Sequence, residues 1–185
     1  MQALFVSTAA VALAEIGDKT QLLSLLLAAR YRQPLPICLG ILTATLLNHA
    51  LAGGAGALLA HWLTPDLLKW IVAASLLAMG VWMLIPDRID DDAAASSGRH
   101  GVFVASVFAF FLAEMGDKTQ VATLVLAAQY QPLWQVVIGT TLGMLLANVP
   151  VVWLGARFAA RLPMRSAHAA AAVLFVLLAV WVALR

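Results

Sequence analysis

Charged side chains and cysteine are both scarce in this sequence. Only 11% of the 185 residues are Asp, Glu, Lys or Arg, against about a quarter in a typical soluble domain. Cys38 is the single cysteine, which excludes an internal disulfide and a cysteine-based metal site. The net charge is only +2, and no basic run carries the interleaved aromatics of a nucleic-acid-binding surface. The chain is instead 63% hydrophobic, with a mean hydropathy of +0.95, which indicates an integral membrane protein.

Six apolar segments are long enough to cross a bilayer, which takes about 20 residues. Prolines and short polar turns separate them. The acidic segment 87–100, which contains Asp90, Asp91 and Asp92, divides the chain into a first half (1–86) and a second half (101–185). The sequence therefore predicts an all-α integral membrane protein with six transmembrane helices, at about 3–29, 35–60, 67–85, 102–128, 133–159 and 166–184.

The N-terminal residues allow a second interpretation, because they resemble a signal peptide with a cleavage site at Ala12-Leu13-Ala14. This stretch has no Lys or Arg at its start. Cleavage would also split a segment whose counterpart, 102–128, is unbroken. We therefore interpret 3–29 as a retained span.

The basic residues predict the orientation of the spans. Seven arginines lie in the loops after spans 1, 3 and 5 or at the adjoining helix ends: Arg30, Arg32, Arg88, Arg99, Arg157, Arg161 and Arg165. The opposite side holds Lys69 and Arg185. The arginine-rich side, including the acidic linker, is therefore predicted to be cytoplasmic, with both termini on the outside.

The two halves share a polar motif. A shift of 99 positions places Ala14-Glu15-Ile16-Gly17-Asp18-Lys19-Thr20-Gln21 on Ala113-Glu114-Met115-Gly116-Asp117-Lys118-Thr119-Gln120. Weaker matches continue to Trp82 and Trp181. Each half has three spans, and because three is odd the second copy enters the membrane from the opposite side. The pattern predicts a 3+3 inverted repeat, as in secondary transporters, whose site lies near the midplane.

Both motifs lie at the centre of their spans, where an unpaired charge costs at least about 2.5–3.5 kcal/mol. If each span is one continuous helix, its Glu and Asp share a face at i,i+3. Inverted symmetry would then bring together four candidate metal ligands: Glu15, Asp18, Glu114 and Asp117. Further oxygens for binding or support are expected from Thr20, Gln21, Asn48, Thr119, Gln120 and Asn148. His49 is expected to be a hydrogen-bonded helix residue.

The chemistry of these ligands narrows the choice of substrate. Sites made of oxygen suit Mg²⁺, Ca²⁺ and Mn²⁺. Four carboxylates with Lys19 and Lys118 as counter-ions carry −2 when all are ionised, which one divalent cation balances. Crowded carboxylates also bind protons when the cation is absent, so cation binding would release protons. The alternative is a structural salt bridge between Glu15 and Lys19.

The doubled E-x-G-D-[KR]-[TS] motif in a six-span chain resembles the Golgi calcium/manganese transporter family, whose bacterial branch includes small manganese exporters. The resemblance covers essentially the whole chain. It implies cation/proton antiport that moves Mn²⁺ or Ca²⁺ out of the cytosol, with the motif acids binding the ion and no resident cofactor. In lacking a long N-terminal extension, the sequence resembles the family members of the bacterial inner membrane. The expected partners are the metal ion, protons and the lipid bilayer.

Other classes explain the motif less well. Intramembrane proteases would need G-x-G-D with a second Asp motif, G-x-S-x-G or H-E-x-x-H, and none of these patterns occurs, so no enzyme is expected. An exporter of basic amino acids has the same six-helix size, but its substrate would compete with Lys19 and Lys118 for the acids. A channel would not depend on a proton gradient. We expect a manganese exporter, with a Ca²⁺/H⁺ antiporter as the alternative.

Overall fold

The computed structural model describes residues 1–82, 101–155 and 164–184, and nearly all of them are helical. The all-α prediction is confirmed. The predicted linker at 87–100 lies outside the described residues. The helices within the described ranges are α1 (Gln2–Glu15), α2 (Lys19–Tyr31), α3 (Pro34–Trp62), α4 (Pro65–Trp82), α5 (Val102–Glu114), α6 (Lys118–Gln129), α7 (Leu133–Leu154) and α8 (Met164–Leu184).

Prolines mark the starts of the long helices. Pro34 and Pro65 are the first residues of α3 and α4, and Pro132 precedes α7. Proline suits the first helical turn, because its missing N–H would have no partner there. Within the part of the chain that the structure describes, three helices are long and apolar enough to cross a membrane: α3, α4 and α7. They cover the predicted span 35–60 and the described parts of 67–85 and 133–159.

The spans predicted at 3–29 and 102–128 are not continuous helices, and that prediction was wrong. The first is divided into α1 and α2, and the second into α5 and α6. Both divisions fall inside the repeated motif. Glu15 and Glu114 are the last residues of α1 and α5, while Asp18 and Asp117 are the N-caps of α2 and α6.

A glycine turn causes the first break. Ile16 has φ −67° and ψ 112°, and Gly17 has φ 88°. The N–H of Asp18 then donates to the Glu15 carbonyl at 3.1 Å. These are the features of a type II turn, whose third position requires a positive φ and favours glycine.

The second motif copy forms the same turn. Met115 has φ −63° and ψ 121°, Gly116 has φ 74°, and the N–H of Asp117 donates to the Glu114 carbonyl at 3.1 Å. The E-x-G-D sequence is therefore a turn that ends one half-helix and starts the next.

The two halves pack on each other through equivalent contacts. Helix α1 lies against α7, and α5 lies against α3. At the first contact, a Cβ atom on Gly139 would lie 3.0 Å from the Ser7 Cβ. At the second, a Cβ atom on Gly40 would lie 2.5 Å from the Ser106 Cβ. The same 99-residue shift relates both pairs, so each half places its glycine against the serine of the other.

The surface is unusually apolar for a soluble protein, and the interior holds several polar side chains beside its apolar core. Large apolar side chains are exposed on several helices, including Leu47, Phe108 and Leu146, while Ser7 and Thr45 are fully buried. Exposed apolar surface of this extent marks a contact with lipid or with another protein. With the apolar lengths of α3, α4 and α7, this distribution is that of a multi-pass membrane protein.

Candidate metal centre

The two glycine turns bring acidic side chains from both halves of the chain together. Carboxylate oxygens of Glu15, Glu114 and Asp117 all lie within 4.8 Å of one another. The two glutamates are fully buried, and Asp117 is only 4% exposed. Glu114 and Asp117 belong to the second half of the chain and Glu15 belongs to the first. The group therefore exists only because the two halves pack together.

Asp18 does not join this close group, although the repeat pairs it with Asp117. It is buried at the start of α2, and its side chain makes no capping hydrogen bond. The expected i,i+3 pairing of Glu15 with Asp18 on one helix face is absent, because the turn at Gly17 separates them. The structure thus brings three of the four predicted acids together.

The motif threonines hold the glutamates in place. Thr20 Oγ1 donates to Glu15 Oε2, and Thr119 Oγ1 donates to Glu114 Oε2 at 3.0 Å. Thr119 also lies 3.4 Å from an Asp117 oxygen. The other oxygen of each glutamate, Oε1, is buried without a hydrogen-bond partner among the described residues. Each glutamate therefore has one buried oxygen without a hydrogen-bond partner in the described part of the chain, and a cation is a suitable partner for a buried carboxylate.

The motif glutamines stabilise the turns. The side-chain oxygens of Gln21 and Gln120 accept hydrogen bonds from the Gly17 and Gly116 N–H groups, at 2.9 and 2.7 Å. The glutamine three residues after the N-cap acts much as in a capping box. The Gln21 amide also donates to the Ala147 carbonyl on α7 at 3.0 Å. In these contacts both glutamines support the turns.

The two repeated asparagines differ in their contacts. The Asn48 amide nitrogen donates to the Phe111 carbonyl in the last turn of α5 at 3.1 Å, and its Oδ1 has no partner in the described part of the chain. Asn148 Oδ1 instead accepts from Ser24 at 2.8 Å, and its amide donates to Met144. Asn48 therefore has a buried oxygen without a hydrogen-bond partner among the described residues, while Asn148 connects α2 with α7.

Lys19 pairs with an acid of the other half. Lys19 Nζ lies 2.8 Å from Asp117 Oδ1, and its side chain is 29% exposed. The equivalent Lys118 is almost completely buried. An ammonium cannot coordinate a metal ion, so Lys19 is a counter-ion that shares Asp117 with the acidic group.

His49 is a residue whose place beside the acids the sequence analysis missed. Its imidazole is fully buried on α3, and Nε2 lies 3.9 Å from Glu114 Oε2. The expected hydrogen bond is not found, since neither ring nitrogen has a hydrogen-bond partner among the described residues. Its position next to Asn48 was the one feature of the sequence that linked it to the repeat.

The electrostatics of the site suit a divalent cation. Three carboxylates and the Lys19 ammonium carry −2 when all are ionised. The C-terminal ends of α1 and α5, which carry Glu15 and Glu114, add the partial negative charge of their helix dipoles. Carboxylate and amide oxygens are the ligands that Mg²⁺, Ca²⁺ and Mn²⁺ prefer.

Comparison with known proteins places this chain in a transporter family. The family model described as "Divalent cation/proton antiporter GDT1" matches residues 3–91 and 102–185. A Vibrio cholerae protein named "Putative manganese exporter" is 55% identical over 97% of this chain and 89% of its own length. A GDT1-like protein of Synechocystis is 29% identical over 92% of this chain and 91% of its own length. GDT1-like protein 3 of Oryza sativa is 25% identical over 94% of this chain and 70% of its own length.

No solved structure gives a significant match to the chain. The family match spans both motif copies and nearly all the helices described above. The family comprises transporters rather than enzymes, and its substrates are divalent cations and protons. The chain belongs to the GDT1 family of divalent cation/proton antiporters, the family that the doubled motif indicates.

Proposed function

We propose that this protein exports Mn²⁺ from the bacterial cytoplasm across the inner membrane in exchange for protons. The observation that carries the proposal is the buried group of Glu15, Glu114 and Asp117, which both halves contribute. A purely structural ion pair would need one acid for each lysine. Here the Lys19 ammonium contacts Asp117, and the buried carboxylates of Glu15 and Glu114 gather at the same place, which provides negative charge that a substrate cation can balance.

The architecture that we propose is the 3+3 inverted repeat, with α1 and α2 forming one interrupted span and α5 and α6 another. The reciprocal contacts of α1 with α7 and of α5 with α3 support it. Interrupted helices at the interface of two repeats are typical of ion sites in secondary transporters. Rocking of one half against the other would open the site to each side in turn.

Proton exchange follows from the burial of the acids. Three carboxylates this close repel one another, and in a low-dielectric interior that repulsion requires a balancing positive charge. Either a divalent cation or protons can supply the charge at the same oxygens. Each therefore displaces the other, and a gradient of protons can drive the cation outward.

Mn²⁺ is the preferred substrate in this proposal, and Ca²⁺ is the second candidate. Ca²⁺ takes about six to eight oxygens at roughly 2.3–2.6 Å. The described site offers three close carboxylates, which suits an ion of lower coordination number. The name of the 55% identical Vibrio cholerae relative also favours manganese.

The test is transport by purified protein in liposomes with an imposed pH gradient. We expect Mn²⁺ to accumulate in vesicles that are acidic inside, with protons leaving in exchange, and the flux to stop when an ionophore collapses the gradient. Radiolabelled lysine should not be transported. Ca²⁺ flux without Mn²⁺ flux would establish the calcium alternative, and flux of either ion that is independent of the gradient would indicate a channel.

A matched pair of variants ties this flux to the site. Asp117→Asn keeps the side-chain shape but removes a charge from the acidic group, so it should abolish Mn²⁺ transport. Asp66→Asn makes the same change at an exposed position in the first turn of α4 and should transport normally. Normal transport by the Asp117 variant would refute the site.

A further inference from the structure

His49 is a buried imidazole with no hydrogen-bond partner in the described part of the chain. It is 0% exposed on α3, and both Nδ1 and Nε2 lack partners there. A polar group buried in this way costs free energy unless something else satisfies it. A role beyond packing would account for its retention in an apolar helix.

The position of the ring connects it to the acidic group. Nε2 lies 3.9 Å from Glu114 Oε2, which is too long for a hydrogen bond. Two ligands that each lie about 2.1 Å from one ion are at most about 4.2 Å apart, so both atoms can bind the same ion. Neither ring nitrogen of His49 belongs to the group of ligand atoms that are mutually within 4.8 Å. Its approach is to Glu114, so an ion bound by His49 and by all three acids requires these side chains to move closer together.

The neighbouring residue fixes the segment of α3 that carries His49. The side chain of Asn48 donates to the Phe111 carbonyl in the last turn of α5, three residues before Glu114. This bond holds α3 against the end of the half-helix that presents Glu114. The imidazole is therefore positioned beside that glutamate by the fold.

The feature has no counterpart in the other half. The 99-residue shift places Asn148 on His49, and a slip of one residue pairs Asn148 with Asn48 and Val149 with His49. Neither register places an imidazole at the equivalent position of the second half. The acids, threonines and glutamines of the motif are duplicated, but the imidazole is single. A residue needed only to build the repeated fold would be expected in both halves. The single His49 therefore makes the site asymmetric, although the oxygen-bearing motif residues are duplicated.

Nitrogen ligation changes which ions a site prefers. Ca²⁺ and Mg²⁺ bind oxygen ligands. Mn²⁺ shares this preference for oxygen, but as a first-row transition metal ion it also accepts an imidazole ligand, with lower affinity than Fe²⁺, Ni²⁺ or Zn²⁺. We propose that His49 Nε2 is a ligand of the transported ion and that it selects Mn²⁺ over Ca²⁺ and Mg²⁺. This proposal rests on the proposed function, because it concerns the same site and the same substrate.

Pulsed electron paramagnetic resonance of bound Mn²⁺ tests this ligation directly, because a coordinated imidazole gives a ¹⁴N coupling. The protein, purified through a tag without histidine, should show this coupling when loaded with Mn²⁺. His49→Gln should bind Mn²⁺ without it, and His61→Gln, a change at the exposed end of α3, should retain it. Wild-type protein that binds and transports Mn²⁺ without the coupling would overturn the role of His49 and leave the proposed function standing.

A second variant keeps His49 unchanged, so its result does not depend on whether the His49→Gln protein folds. The chain has four histidines, and replacing His61, His100 and His168 together leaves His49 alone. Mn²⁺ bound to this variant should keep the ¹⁴N coupling, and loss of the coupling would refute the assignment. If the wild-type protein neither binds nor transports Mn²⁺, the proposed function fails as well.

Selectivity is the second readout. Substitution of a residue that supports a metal ligand lowers metal affinity by about 10- to 100-fold. Loss of a ligand should cost at least as much, so we expect His49→Gln to lower the Mn²⁺ affinity by about tenfold or more and the Ca²⁺ affinity far less. Competition between the two ions at equilibrium measures the ratio. An unchanged ratio would show that His49 does not determine specificity.

Discussion

At the scale of single residues, the close group of acids separates two aspartates that the repeat makes equivalent. Asp117 lies within the group and pairs with Lys19 at 2.8 Å, whereas Asp18 lies outside it. One arrangement of the two halves therefore uses the acids unequally. If the halves rock, the opposite arrangement would exchange the roles of the two aspartates.

This inequality predicts different binding defects. Substitution of a residue that only supports a metal ligand lowers metal affinity by about 10- to 100-fold. Asp117→Asn removes the charge of a proposed ligand itself, so it should weaken Mn²⁺ binding by about 100-fold or more. Asp18→Asn should weaken binding at least about tenfold less. Equilibrium titration of the two purified variants with Mn²⁺ measures both values. Equal losses would favour the symmetric four-acid site that the sequence predicts.

The sequence predicted the acids of the candidate site because charged residues at the centre of an apolar span are costly, and here they recur in both halves. The place of His49 beside Glu114 could not be predicted, because it depends on how α3 packs against the end of α5. The exclusion of Asp18 from the close group could not be predicted either. It depends on the relative positions of the two halves, which sequence symmetry does not contain.

At the scale of helices, the decisive feature is the break in α1–α2 and α5–α6. Each motif contains a glycine, but glycine also occurs within continuous helices and at close helix contacts, so the glycine alone does not predict a break. The conformation is decided by the local hydrogen bonds. The glutamine side chain satisfies the glycine N–H, and the turn satisfies the glutamate carbonyl.

The turn predicts a specific sensitivity at Gly116. Its φ is 74°, and a Cβ atom there would meet nothing within 4 Å, so substitution acts through the backbone alone. Gly116→Ala places a side chain in a left-handed conformation, which costs about 1–2 kcal/mol. We expect lower thermal stability together with weaker Mn²⁺ binding, because the turn positions both Glu114 and Asp117.

Gly54 provides the matched control. It lies within α3, and a Cβ atom there would also meet nothing within 4 Å. Gly54→Ala should raise helix stability by about 0.8–1 kcal/mol and leave Mn²⁺ binding unchanged. Melting curves and metal titrations of both variants make the comparison. A Gly116 variant that behaves like the Gly54 variant would argue for a continuous helix at the motif.

At the scale of the whole molecule, the direction of transport depends on how the protein lies in the membrane. Arg30 and Arg32, at the end of α2, are exposed. They begin the arginine-rich side, which the positive-inside rule assigns to the cytoplasm. The other loop arginines of this side fall at 88, 99, 157, 161 and 165, and their side chains lie outside the described residues. The orientation is therefore a prediction of the sequence, and it decides whether proton-driven flux empties or fills the cell.

Reporter fusions test this orientation. Alkaline phosphatase, which is active only outside the cytoplasm, should be active when fused after Arg185. A green fluorescent protein at the same position, exported unfolded, should be dark. The same reporters inserted after Asp92 in the predicted linker should give the opposite pattern, which serves as an internal control. A fluorescent C-terminal fusion with an inactive phosphatase would place the termini in the cytoplasm, and the arginine-rich side would then face outward against the charge rule.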